Sequence, residues 1–189
     1  MNSEEPFIFY YIENINIMAG KKKNLNETRL DNLCDMKEKS FGIVVSEWNQ
    51  DITSSLAEGA RSTLLENGVT EEHISEIQVP GSFELPMGAR LLAGKEKMDA
   101  IICIGCVIKG ETKHDEYINN AVANGIMSLG LATSTPVIFG VLTPNDHQQA
   151  VDRAGGKYGN KGIEAAHTAL RMVSIASNIK ETESKIGFK

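Results

Sequence analysis

The sequence predicts a three-layer α/β/α sandwich built on a central, parallel, four-stranded sheet. Two observations point there. Four short apolar runs recur along the chain, bounded by turn-forming residues, and the stretches between them carry apolar residues at helical spacing. Alternation of strand and helix calls for right-handed crossovers, which place every strand-to-helix loop at one edge of the sheet.

Phe41-Gly42-Ile43-Val44-Val45-Ser46 reads as the first strand, followed by the polar turn Glu47-Trp48-Asn49-Gln50. Ile52, Leu56, Ala60 and Leu64 then recur every fourth residue, one helix face turned to a sheet, and Asn67-Gly68 is a C-cap signal. Ile74 to Val79 reads as the second strand, broken at Pro80-Gly81, and Ser82-Phe83-Glu84-Leu85-Pro86 leads into a helix reaching about Ala93. Ala100 to Ile104 is continuously apolar, as a strand buried on both faces must be. A helix is expected from Asp115 to about Leu131, and Pro136 to Leu142 reads as the fourth strand. A short helix near Asp146 to Ala154 and a long one from Lys161 to about Asn178 close the domain. The long one shows Ile163, Ala166, Leu170 and Val173 as one stripe.

Residues 1–39 do not share this pattern. Phe7 to Ile12 is a lone apolar patch, Lys21-Lys22-Lys23 a charge cluster, and Asn24 to Ser40 is polar with poor periodicity. A loosely ordered extension is expected there, with Met18 as a second candidate start. A single domain over residues 40–180 and a tail over 181–189 complete the expected organisation.

The 189 residues suffice for one α/β domain with an appendage. Hydrophobic content of 41% and charged content of 23% are ordinary for a globular chain, and a net charge of −6 argues against nonspecific nucleic-acid binding. No apolar run approaches a membrane span, and Glu4 and Glu5 stand where a secretory signal carries positive charge. The expectation is a cytoplasmic protein with no nucleic-acid or membrane partner. Two of the three cysteines spell Cys103-x-x-Cys106. Both fall in or at the end of a strand, where residues three apart point to opposite faces, so buried small hydrophobes are expected rather than a redox pair.

The chemistry-bearing stretch runs from Asp99 to Tyr117. Its apolar strand turns polar at Lys109-Gly110 and delivers Glu111, Thr112, Lys113 and His114 ahead of a helix. A buried parallel strand, a glycine turn and a helix start are the usual setting for a ligand in an open α/β sheet. Backbone N–H groups at that helix start suit a phosphate, Thr112 adds a hydroxyl, and His114 brings an imidazole, the side chain suited to proton exchange near neutral pH.

Other loops on the same edge add candidates. Trp48, the only tryptophan, sits in a polar turn, which suits stacking on a ligand as well as core filling. Phe83 could flank the same ligand or pack in the core. Glu84 is expected to cap its own helix, with hydrogen bonding to a polyol as the alternative. His73, His147 and His167 are expected to be solvated. Arg153-Ala154-Gly155-Gly156-Lys157-Tyr158-Gly159-Asn160-Lys161-Gly162 is a basic, glycine-rich linker. It reads either as a flexible solvated turn or as an anion clamp with Arg153 as a bidentate partner. Neither a Walker loop nor a G-x-G-x-x-G occurs. The residues therefore describe a flavodoxin-like α/β domain with an aromatic, an acid, a histidine and an anion site on one edge.

Five pieces in order resemble the lumazine synthase family. They are Glu47-Trp48-Asn49, Val79 to Pro86, Gly105 to His114, Pro136 to Thr143, and Arg153 to Gly162. Singly each is weak; together they are specific, and they span Phe41 to the last helix. The resemblance implies condensation of 5-amino-6-(D-ribitylamino)uracil with 3,4-dihydroxy-2-butanone 4-phosphate, without metal or organic cofactor, in riboflavin biosynthesis. It implies that Trp48 stacks on the pyrimidine, that Ser82 and Glu84 hold the ribityl chain, and that Asn49 and Phe83 line the pocket. Val107 and Ile108 would offer backbone contacts, Glu111 and Thr112 would receive the phosphate, and His114 would move protons. Phe139 and Arg153 would come from a neighbouring subunit, with Lys161 and Glu164 close behind. A homo-oligomer follows, a pentamer or an icosahedral shell of pentamers, with riboflavin synthase as a candidate partner. Lys109 stands where the family commonly has arginine, and Glu111 where many members have a small residue; only its N–H then serves the phosphate.

Overall fold

The computed structural model describes Leu30 and residues 33–186, with side chains through residue 179. The four apolar runs form β1 (Phe41–Ser46), β2 (Ile74–Val79), β3 (Ala100–Cys106) and β4 (Val137–Leu142). All pair in parallel, in the order β2-β1-β3-β4. The helices are α1 (Gln50–Glu66), α2 (Leu85–Lys95), α3 (His114–Thr133), α4 (His147–Val151) and α5 (Lys161–Ile186). The expected sandwich is the one that forms.

Strand parity builds its two cores. Ile43, Val45, Ile102 and Ile104 point one way, against Ile52, Leu56 and Leu64 of α1 and Ala166 and Leu170 of α5. Val44, Ile101 and Cys103 point the other way, against Leu85 and Leu92 of α2 and Val122 and Ile126 of α3. Central β3 is buried at every residue, as its unbroken apolar run requires. Cys103 and Cys106 fall in opposite cores, and both thiols are free. Edge strand β2 is buried only at its two ends, Ile74 and Val79, and β4 leaves Phe139 42% exposed at the other edge.

Several boundaries differ from expectation, each for a physical reason. Helix α4 stops at Val151, and the linker after it is an antiparallel hairpin of β5 (Ala154–Gly156) and β6 (Gly159–Asn160), not a flexible turn. Gly155 and Gly159 adopt φ of 113° and 78°, which ordinary side chains resist, and so let the chain reverse. Helix α5 continues to Ile186, through most of the expected tail, because nothing from Lys180 to Ile186 is a glycine or proline. Packed structure also begins ahead of the expected boundary at residue 40. Met36 is buried against the α1/α5 core, Leu30, Leu33 and Cys34 pack beside it, and the Cys34 N–H donates to Ser174 Oγ at 3.1 Å. Phe7 to Ile12, Met18 and the lysine cluster lie outside the described residues. Among the described residues no helix is long and apolar enough to cross a membrane.

Candidate active site

Parallel strands end at one edge, and there the four connecting loops are stitched together. The Glu47 N–H donates to Val79 O at 2.9 Å, Val107 N–H to Leu142 O at 2.8 Å, and Lys109 N–H to Pro144 O at 2.9 Å. Asn49 holds a left-handed backbone, φ 57°, and its side-chain amide donates to Cys106 O at 3.0 Å. The turn that carries Trp48 is thereby anchored to the end of β3.

Trp48 is 72% exposed and Phe83 58% exposed, so neither fills the core. Trp48 lies alongside Gly81, where an added Cβ would stand 3.4 Å from the indole Cδ1 and 3.1 Å from Glu84 Oε2. The indole and the carboxylate therefore flank one glycine. Glu84 occupies the N-cap position of α2 without a side-chain capping bond, which corrects the expected cap. Its backbone is already helical, φ −83° and ψ −8°, so the carboxylate does not fold back onto the first turn. Ser82 is buried, and its hydroxyl donates to Ser46 Oγ at 3.5 Å. A Cβ on Gly105 would stand 2.7 Å from Ser82 Oγ, so only glycine leaves that hydroxyl its place.

The loop after β3 carries the next group. The Val107 N–H is committed to β4, so Val107 can offer a ligand only its carbonyl and side chain. Ile108 is half-buried against the α1/α5 core. Glu111, Thr112 and His114 are exposed at the start of α3. Thr112 Oγ1 accepts from the His114 N–H at 3.4 Å. That bond uses the hydroxyl as an acceptor and leaves its own proton uncommitted.

Phe139, Arg153, Lys161 and Glu164 lie elsewhere. They line a groove of about 1060 Å³ along the open edge of β4, between α3 and α5. Hairpin pairing brings two of them together: Lys161 N–H donates to Arg153 O at 2.9 Å. Lys161 Nζ reaches Glu164 Oε2 at 2.6 Å, while Arg153 Nη1 donates to Gln149 O at 3.0 Å. None of Trp48, Asn49, Ser82, Phe83, Glu84, Val107, Ile108, Glu111, Thr112 or His114 lines this groove. One chain thus places the two groups of candidate residues at separate surfaces.

Some residues of the site carried little signal in the sequence. Ser46, fully buried, ends β1 and orients Ser82; a hydroxyl closing an apolar strand was the only clue. His147 is not merely solvated: its Nε2 pairs with Asp51 Oδ2 at 2.8 Å, joining the loop after β4 to the start of α1. His167 buries its Nδ1, and His73 Nδ1 meets Thr70 Oγ1 at 2.8 Å. Burial holds the Cys103 thiol up at about 12. Burial first, and the Asp51 carboxylate second, hold Cys106 up at about 11. Neither cysteine is a nucleophile at neutral pH.

Residues 38–177 match the family described as 6,7-dimethyl-8-ribityllumazine synthase. The chain is similar to the 6,7-dimethyl-8-ribityllumazine synthase of Cytophaga hutchinsonii, 50% identical over 157 residues, covering 83% of this chain and 98% of that protein. It is 48% identical over 160 residues to the protein of the same name from Parabacteroides distasonis, covering 85% of this chain and all of the relative. A third, from Flavobacterium johnsoniae, is 48% identical over 158 residues, covering 84% of this chain and 83% of the relative.

Proposed function

The chain belongs to the 6,7-dimethyl-8-ribityllumazine synthase family, and we propose that two copies of it join their half-sites into one working centre. The enzyme is a transferase of riboflavin biosynthesis. It condenses 5-amino-6-(D-ribitylamino)uracil with 3,4-dihydroxy-2-butanone 4-phosphate to give 6,7-dimethyl-8-ribityllumazine, phosphate and water.

The chemistry asks for proximity more than for force. The 5-amino group attacks the ketone to give a carbinolamine, which loses water to an imine. Loss of the adjacent C–H proton expels phosphate from the next carbon and leaves an enol. Tautomerisation makes a methyl ketone, on which the ribitylamino nitrogen closes with loss of a second water. Each step moves a proton between partners that are already reactive, so orientation supplies most of the acceleration.

In this reading Trp48 stacks on the pyrimidine, Ser82 and Glu84 hold the ribityl hydroxyls, and Phe83 lines the pocket. Asn49 sets the turn. The Val107 carbonyl and the Ile108 backbone meet the ring edge, and His114 carries protons. The Glu111 N–H and the Thr112 hydroxyl receive the phosphate. Phe139 and Arg153 of the adjacent copy close the centre, with the Lys161–Glu164 pair fixing the groove behind them. The observation that supports this is a separation: Trp48 and the Glu84 carboxylate flank Gly81, whereas Phe139 and Arg153 line a groove that neither of them enters.

A pentamer, or an icosahedral shell of pentamers, is the assembly this reading takes. The compact hairpin at Gly155 to Asn160 supports the shell. Riboflavin synthase, which consumes the product, is the partner such an assembly would serve. Three free cysteines, two of them buried, support a cytoplasmic location.

The test combines the two substrates with the protein and follows lumazine fluorescence and released phosphate. The shared centre is tested by co-expressing two defective chains, one Trp48→Ala/His114→Ala and the other Phe139→Ala/Arg153→Ala. Mixed interfaces then contain some intact centres, and activity returns. Confirmed co-assembly without recovered activity would overturn the shared site.

A further inference from the structure

Arg153 is held as well as placed. Its guanidinium carbon lies 4.9 Å from the centre of the Tyr158 ring, and Lys157 Nζ lies 5.2 Å from the same centre. Both fall within the roughly 6 Å over which an aromatic face attracts a cation. Nη1 of Arg153 is tied to Gln149 O at 3.0 Å. Tyr158 is fixed in turn, because its N–H donates to Asp152 O at 2.7 Å and the hairpin glycines bend the chain back over Arg153. The tyrosine is 44% exposed, so core packing does not explain a large aromatic side chain there.

We propose that Tyr158 is a positioning residue for the butanone phosphate, acting by holding the Arg153 guanidinium over its ring. The inference rests on the assignment of Arg153 to the phosphate. Stacking occupies a face of the guanidinium and the Gln149 carbonyl occupies one donor. The remaining in-plane N–H groups stay available as a fork for an anion. An arginine already held in place gives up less side-chain freedom when the phosphate arrives. Lys157, drawn to the same ring, adds a second positive charge to the hairpin, which favours a dianion. Tyr158 thus favours the phosphorylated substrate without touching it.

The assembled protein tests this with Tyr158→Phe, Tyr158→Leu, Tyr158→Ala and Arg153→Ala. The readouts are KM for each substrate and inhibition by inorganic phosphate. Leucine and alanine at 158 are expected to raise KM for the butanone phosphate, and to weaken phosphate inhibition, by roughly two- to fivefold. KM for the pyrimidine stays in place, and phenylalanine, which keeps the ring face, restores both values. Leucine performing as well as phenylalanine would overturn the proposal, since bulk alone would then suffice. So would equal shifts for both substrates, which would mark a damaged hairpin. If Arg153→Ala weakens phosphate use but no change at Tyr158 does, the positioning role fails while the phosphate assignment stands. If Arg153→Ala leaves phosphate use intact, the assignment itself fails.

Discussion

The side-chain amide of Asn49 donates to the carbonyl of Cys106 at 3.0 Å, bridging the turn after β1 and the last residue of β3. The same residue holds a left-handed backbone, which asparagine tolerates and alanine resists. The two roles separate by substitution. Asn49→Gly keeps the backbone and loses the bond, costing about 1 kcal/mol. Asn49→Ala loses the bond and strains the backbone, costing about 1–2 kcal/mol more. Denaturant unfolding reads the difference. Product affinity is expected to fall in both variants, because the turn carrying Trp48 is no longer anchored.

Trp48 is the only tryptophan, so its emission reports one place. Product or riboflavin stacked on the indole is expected to quench it, saturating at one ligand per chain. Aromatic stacking on a base is worth about 1–3 kcal/mol, so Trp48→Ala weakens binding roughly tenfold or more and Trp48→Phe keeps most of it. Tight binding with unchanged emission would remove the stacking role.

His114→Ala is expected to slow turnover without stopping it. General acid–base catalysis contributes about 10²–10⁴-fold, and substrates this reactive place the loss at the low end of that range or below it. Steady-state kinetics on variant protein of native size makes the measurement. Complete inactivation would assign His114 more than proton transfer.

Cys103 and Cys106 are expected to lower the stability of the fold in alkaline solution. Their folded thiols titrate at about 12 and about 11, above an ordinary 9.0. Above pH 9 the unfolded chain loses thiol protons that the folded chain keeps, so the stability they contribute falls as pH rises toward the folded values. Each thiol contributes a slope of about 1.4 kcal/mol per pH unit in that window. Unfolding measured from pH 8 to 10.5 is expected to show the decline, and Cys106→Ala to make it shallower. An identical slope in the variant would exclude Cys106 as a source.

Gly162 is where α5 crosses α1. A Cβ there would fall inside the contact shell of the Leu56 carbonyl oxygen. The crossing is also locked by Asn160, which accepts from the Gly162 N–H at 2.8 Å and donates to Ser55 O at 2.8 Å. Gly162→Ala is therefore expected to cost about 3 kcal/mol by pushing the helices apart. A loss below 1 kcal/mol in denaturant unfolding would show that α5 shifts freely.

Much of this protein follows from local pattern. The apolar runs at Phe41–Ser46 and Ala100–Cys106, and the Leu56, Ala60, Leu64 spacing, state element type and facing without reference to distant residues. The opposite facing of Cys103 and Cys106 follows from strand parity alone. Even the loops that hold Trp48, Ser82 and His114 could be assigned to one edge, because right-handed crossovers leave no other place for them. Where pattern was silent, the deciding contact was remote. Met36 is buried because α1 and α5 cover it, and nothing in its own polar neighbourhood says so. The linker at Arg153 is a hairpin because residues 153 and 161 pair. Most of all, the run at β4 is as apolar as that of β3, yet it became the sheet edge while β3 became its centre. Strand order is settled by the burial of the whole chain rather than by any one run. That order placed Phe139 and Arg153 in the groove at the open edge of β4, a different surface from the one that carries Trp48.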